Sequence, residues 1–376
     1  MTAIRATIRY SRDNAYARTF SDLDGGRNNN FDFLRMLFAA AVIFSHSYLL
    51  VGSPREPFGR LTHGQAAAST YAVAFFFAIS GYLITRSWTT CAGAAEYLWR
   101  RVLRIHPGLI VAAAFSYLVV APIGSGNAAA YLASARPLRG LAIPLFVPLS
   151  PPTSFPNNPF PGNVNGSLWT IPCEFLMYLF VMAAGLAGLF RRRYAVLALF
   201  AAVFLSYRGI PRIWPVVGGW PLPYFGIFII MLHLLSYFLA GMVAFLFRDR
   251  IPHSGFLFAL SVAVLAVCNR RWLNGVMPIF GTYAMFYVAF SPYLPFHRFA
   301  RHGDFSYGTY LYAFPIQQLL VLVGIKAPIA LFVASLPLTV AAAVLSWHYV
   351  EAPFLRMKHR RDRDTCQKPP SQAGNP

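Results

Sequence analysis

Three ionisable side chains sit where an apolar chain has little use for them. Arg35 and His46 lie in LRMLFAAAVIFSHSYLL, and Glu174 lies in NGSLWTIPCEFLMYLF. Both stretches read as helices that cross a bilayer, where a charged side chain costs at least about 2.5–3.5 kcal/mol by insertion scales. That cost makes each a candidate for function. A neutral imidazole can take a proton from a hydroxyl, and a carboxylate beside it can orient the ring or support its charged form. His46 and Glu174 are therefore the candidate catalytic residues.

Depth brings them together. In a first span over residues 31–51, His46 lies about 8 Å below the outer end. A fourth span entering near Ser167 puts Glu174 about 10 Å below the same surface, so the two are expected in one layer. Arg35 precedes His46 by eleven positions, and eleven steps of about 100° make three turns plus about 20°. Both side chains then share one helix face, about 16 Å apart, with Arg35 at the inner end. The spacing suits a ligand with anionic groups inside and its reactive end near mid-membrane. Coenzyme A has that shape, and arginine forks well onto phosphate. In YLWRRVLRIHPGL, Arg104 shares a helix face with Arg100 and Arg101, which makes a second anion site at the inner interface.

Plainer readings stand beside these. Arg35 suits a snorkelling anchor, and Arg100 to Arg104 suit an orientation signal. Glu174 suits an arginine's structural partner. His46 alone suits a hydrogen-bonded helix–helix contact, which is the reading given to His233.

The elements that must hold these residues follow from composition. The 376 residues are 57% hydrophobic and 12% charged, against roughly 25% charged in soluble domains. An all-α integral membrane protein is expected, because the apolar runs are continuous rather than alternating. Ten segments qualify as spans: 31–51, 68–88, 107–122, 167–190, 194–207, 223–247, 254–268, 276–295, 305–325 and 327–350. With both termini cytoplasmic, most of the 32 Lys and Arg fall inside, as the positive-inside rule requires. The net charge of +20 comes in short clusters between apolar runs, so it argues for orientation and against nucleic-acid binding. Cys91, Cys173, Cys268 and Cys366 have no metal-ligand spacing, and no metal site is expected. No cleaved leader is read at the start. Residues 1–27 and 357–376 read as polar, disordered cytoplasmic tails around a membrane domain over 28–356. The segment 123–166 is rich in proline, which argues against regular helix there. It reads either as a spacer or as a lid over an outward-facing site.

Taken in order, these segments resemble the membrane-bound acyltransferase 3 family of bacterial sugar and polysaccharide O-acyltransferases. The likeness runs from about Asn28 to Arg356. FDFLRMLFAAAVIFSH has the family's R-x10-H spacing, FFFAISGYLITRSW follows, and RRVLRIHP carries R-x-x-R as Arg101 and Arg104. NGSLWTIPCEFLMYL matches through Ser167, Trp169, Glu174 and Tyr178. FSYGTYLYAFPIQQLL and SWHYVEAPFLR come last, the latter like the family's S-x4-E-x-P. The resemblance implies acyl-CoA, most simply acetyl-CoA, as co-substrate on the cytoplasmic side. It implies an acceptor hydroxyl outside, on an exported polysaccharide, lipopolysaccharide or lipid-linked sugar. It also implies an essential His46, and Arg35, Arg101 and Arg104 near CoA. Ser167, Trp169 and Tyr178 join the binding candidates. Placement in a bacterial inner membrane, with polysaccharide-synthesis partners, belongs to the same expectation. Two departures stand out: Ala313 replaces a histidine found in many relatives, and the chain carries no hydrolase-like domain after its tenth span. Competing classes are a transporter or flippase of a lipid-linked sugar, a scaffold, and an acyltransferase for a non-carbohydrate small molecule.

Overall fold

A computed structural model describes residues 18–25, 29–144, 153–217, 222–269 and 272–357. It is 75% helical. Ten helices among the described residues fall on the ten expected segments. They are α1 (Phe31–Leu50), α2 (Ala68–Thr90), α3 (Ala94–Gly124), α4 (Thr170–Leu186) and α5 (Arg193–Val217). α6 (Leu222–Leu246), α7 (Gly255–Cys268), α8 (Leu273–Ala289), α9 (Ser306–Leu322) and α10 (Pro328–Met357) complete the set. Five have the length and apolar character to cross a bilayer: α1, α2, α3, α6 from Phe228, and α10. A helix satisfies its own backbone hydrogen bonds, which lipid cannot do for it.

Two helices differ from expectation in an informative way. The third span was expected only from 107, after the cluster Arg100–Arg101–Arg104. Instead α3 runs without a break for 31 residues, through Pro107 and a π turn at Phe115–Val120. The arginines are thus held on a rigid helix rather than a loop. Likewise α10 runs 30 residues through a π turn at Trp347–Glu351, so Glu351 lies inside a helix and is buried. Glu174 is therefore joined by a second carboxylate in a long apolar helix.

The chain forms two compact units. The first comprises residues 1–45, 54–89 and 183–302, and the second 46–53, 90–182 and 303–376.

In the first unit, residues 18–25 are ordered, where a disordered tail was expected. Thr19 caps the turn Phe20–Leu23 in a capping box with Asp22. The hydrogen bonds from Thr19 hold the Asp22 carboxyl below the usual carboxylate range. Phe20 is buried among Tyr283, Phe286 and Phe290. Asp24 then pairs with Arg86 at 2.7 Å and accepts from the Tyr82 hydroxyl at 2.9 Å. One aromatic residue and one ion pair therefore anchor a segment whose composition is polar.

The crossing of α2 and α6 depends on two glycines. A Cβ on Gly81 would lie 1.9 Å from the Phe238 carbonyl oxygen, and one on Gly241 would lie 1.9 Å from that of Ala78. Backbones that approach so closely are typical of small-residue packing in membranes, where lipid offers no hydrophobic drive to hold helices together.

In the second unit, the described residues of the proline-rich segment form local structure. It begins with short helices at Ala128–Ala133 and Arg136–Leu141, which the expectation of no regular helix missed because the prolines concentrate later. Thr153–Ser154 pairs antiparallel with Gly162–Asn163. Phe155 takes φ +57°, which costs a non-glycine residue roughly 1–2 kcal/mol. Burial of its ring against Gly124, and its N–H bond to the Gly124 carbonyl at 2.9 Å, offset that cost. Asn158 donates to the Gln318 backbone carbonyl at 3.0 Å and to its Oε1 at 2.7 Å. Gln318 donates back to the carbonyls of Phe160 and Asn163, at 3.1 and 2.8 Å. Asn165 bonds Ser116 and the Leu311 carbonyl, at 3.0 and 2.9 Å. The loop is bolted onto α3 and α9.

Replacing Gly81 or Gly241 by Ala should lower the melting temperature of detergent-solubilised protein, because backbone blocks the new methyl. Gly209→Ala, where a Cβ meets nothing within 4 Å, should leave it unchanged or higher, as read by thermal denaturation with size-exclusion chromatography.

Candidate active site

His46 stands in the last turn but one of α1, in the part assigned to the second unit. Its ring meets the edge of Phe314 at 5.2 Å between centroids. The residue is half-buried, and its Nδ1 is buried with no hydrogen-bond partner among the described residues. The next residue, Ser47, is fixed by Gln317, whose Nε2 donates to the Ser47 Oγ at 2.7 Å and to that of Ser335 at 3.3 Å. The turn carrying the imidazole is thus held by its neighbour, while Nδ1 has no hydrogen-bond partner among the described residues.

Glu174 makes no hydrogen bond to His46. Its Oε1 accepts from the Tyr178 hydroxyl at 2.5 Å, one turn further along α4. The expected single layer is also absent. Gly166 lies against Phe314, and Thr170 shares a 2.8 Å hydrogen bond with the Tyr310 hydroxyl. Moving four residues forward before and along α4 moves four residues back along α9, so the two run antiparallel and Glu174 falls level with Ser306. Phe314, beside His46, is eight residues from that level, or about 12 Å at 1.5 Å per residue. The reason is the loop. Residues 153–166 pack on α9 at Gln318 and Leu311, so the chain is already level with Phe314 at Gly166, before α4 begins. Irregular backbone at that depth is tolerated where protein satisfies it, as Gln318 and Asn165 do here.

Glu174 instead shares a layer with the arginines of α3. Arg101 lies over the rings of Tyr97 and Tyr178, at 5.8 and 6.0 Å from their centroids. The Tyr97 hydroxyl donates to the Tyr178 carbonyl at 3.0 Å. Arg104 lies 5.5 Å from the centroid of Tyr307, is bound to Asp304, and stands 3.6 Å from Glu351. Ser346 donates to Glu351 at 3.1 Å, which explains the S-x4-E spacing: a π turn brings the two together. Arg100 pairs with Glu96. In the first unit, Arg35 pairs with Asp32 at 3.1 Å on unbroken α1, so its spacing to His46 along one helix holds.

The remaining sequence candidates divide between the layers. Ser167 is buried next to Gly166, near the Phe314 level, and its Oγ lacks a partner among the described residues. Trp169 is half-buried, and its carbonyl accepts from the Cys173 thiol at 3.3 Å. Tyr178 belongs to the arginine layer. Sequence reasoning missed Asp304, Glu351, Gln317 and Gln318. The closing S-x4-E motif was the one available signal for Glu351.

An imidazole with an unpartnered ring nitrogen thus stands about two turns from a layer of arginine and tyrosine in an apolar helical fold. The chain belongs to the acyltransferase domain family, which matches residues 28–348. It is similar to an O-acetyl transferase of Shigella phage Sf6, with 26% identity over 88% of this chain and 96% of that protein. It is also similar to nodulation protein 10 of Rhizobium leguminosarum bv. viciae, with 27% identity over 89% of this chain and 95% of that protein. No solved structure matches.

The charge cluster on Arg104 yields a test. Removing one member of a buried ion pair costs about 3–5 kcal/mol because it strands the other. Arg104→Gln should destabilise the solubilised protein markedly, and Arg104→Gln with Glu351→Gln should recover part of the loss, in a double-mutant thermal denaturation cycle.

Proposed function

We propose that this acyltransferase moves an acyl group, most simply acetyl, from cytoplasmic acyl-CoA to a sugar hydroxyl at the outer face of a bacterial inner membrane. The acceptor is an exported polysaccharide, lipopolysaccharide or lipid-linked sugar. The observation that carries the reading is His46, a half-buried imidazole with an uncommitted Nδ1, in a chain of this family. The likeness to a phage protein named O-acetyl transferase supports acetyl as the group.

In this scheme the acceptor oxygen attacks the thioester carbonyl while His46 takes the hydroxyl proton. The carbon–sulfur bond breaks, and the imidazolium returns the proton to the leaving thiolate. The products are an O-acyl ester and free CoA, with no net change in protons. General base catalysis of this kind contributes about 10²–10⁴-fold. Arg101 holds the anionic part of CoA, and its long arm bridges the distance from the arginine layer to the imidazole; Arg35 stays a candidate CoA contact by its spacing from His46 along α1. Arg104, already bound to two carboxylates, contributes mainly by placing Tyr307 and its neighbours. Glu174 acts from the arginine layer, through Tyr178, rather than on His46. Ser167 and Trp169 line the way to the acceptor, and polysaccharide-synthesis proteins supply it.

Membranes carrying His46→Ala should lose at least a hundredfold of radiolabel transfer from acetyl-CoA to surface glycan, with normal amounts of folded protein. Normal O-acylation in that variant would end the proposal. Glu174→Gln should raise the KM for acetyl-CoA more than it lowers kcat. A pure kcat loss with an altered pH profile would instead restore Glu174 as the partner of His46.

A further inference from the structure

His233 in α6 is expected from its sequence setting to be a hydrogen-bonded helix contact. In the first unit it is buried at 7% exposure, and neither ring nitrogen has a hydrogen-bond partner among the described residues. Two tyrosines flank it: Tyr207 at 5.0 Å and Tyr237 at 5.1 Å between centroids. The Tyr237 hydroxyl is fully buried and has no partner either, and the same is true of the Thr282 hydroxyl in α8. The phenol of Tyr71 lies within electrostatic range of both tyrosines, and it donates to Asn274 at 2.6 Å. Polar atoms at this depth normally find partners, because lipid supplies none. Three uncommitted polar atoms inside one aromatic cluster, the two His233 nitrogens and the Tyr237 hydroxyl, therefore point to a ligand.

The neighbouring residues indicate its chemistry. The guanidinium of Arg208 lies over Gly275, where a Cβ would come 3.4 Å from its Cζ, and no carboxylate pairs with it among the described residues. Tyr207 and Arg208 are 14 and 15 residues beyond Arg193, which pairs with Asp249. At 1.5 Å per residue that is about 21 Å, so the cluster lies at the far end of this unit from Asp249. Tyr71 and Asn274 stand at the first turns of α2 and α8, at that same end. Aromatic faces with neutral donors and acceptors suit a hydroxyl-rich ring. An unpaired arginine at the edge suits phosphate.

We propose that this cluster binds the sugar-phosphate headgroup of a lipid-linked or free sugar. His233 and Tyr237 meet the sugar hydroxyls, Tyr207 covers the ring, and Arg208 takes the phosphate. The choice of a sugar rests on the acceptor reading above, while the uncommitted polar atoms do not.

The test is native mass spectrometry of the full-length solubilised protein with three probes: a polyprenyl-phosphate-linked hexose, polyprenyl phosphate, and hexose 1-phosphate. The hexose-bearing lipid should bind at least tenfold more tightly than the bare lipid. His233→Phe should abolish that preference, and so should Tyr237→Phe, which removes one oxygen and spares the packing. Arg208→Gln should weaken all three probes. Hexose 1-phosphate binding as tightly as the lipid-linked hexose supports the site with a soluble source; weaker binding supports it with a membrane source. Equal binding of the two lipids by the wild type overturns the proposal, as does a preference that survives both substitutions. His46→Ala should leave all of this binding intact, so a protein that binds sugar but transfers no acyl group would count against the transfer reading alone.

Discussion

Polar groups at membrane depth must be satisfied by protein, and much of this structure follows from that demand. Backbone groups meet it by forming helices, which is why irregular backbone is confined to places where side chains can serve it. Asn158, Asn165 and Gln318 perform that service for residues 153–166. Without them, the loop could not reach the depth at which Gly166 lies against Phe314.

The sunken loop decides the geometry of the site. Because the chain is already level with Phe314 at Gly166, the carboxylate of Glu174 falls in the layer of Arg101, Tyr178 and Tyr307. His46 remains above, edge-on to Phe314. Electrostatics agrees with this sorting. Buried Glu351 and half-buried Asp304 are tied to Arg104 at the charged layer, while the imidazole, which can be neutral, stands where carboxylates would be costly. A reaction that needs anion binding and proton transfer at different depths gains from such a division.

The charged residues are expensive to hold and therefore heavily tethered. Arg104 is bound by Asp304 and Glu351, Asp304 also accepts from Ser306, and Glu351 accepts from Ser346. The same economy shows in the first unit, where Asp24 is shared by Arg86 and Tyr82. Against that background His46, His106 and His233 each leave a ring nitrogen without a hydrogen-bond partner among the described residues.

The sequence by itself determined the helical class, the positions of the helices, the spacing of Arg35 and His46, and the family. Those follow from local properties: apolar run length, helical period, and motifs within single segments. Depth within the bundle is different, because it depends on what else occupies the same level. The extension of α3 through Pro107, the descent of α4, and the pairing of Arg104 with Asp304 and Glu351 came only from tertiary structure. Those partners are some 200 residues or more from Arg104 in sequence, and nothing local reveals which polar residue will find which across a packed interior.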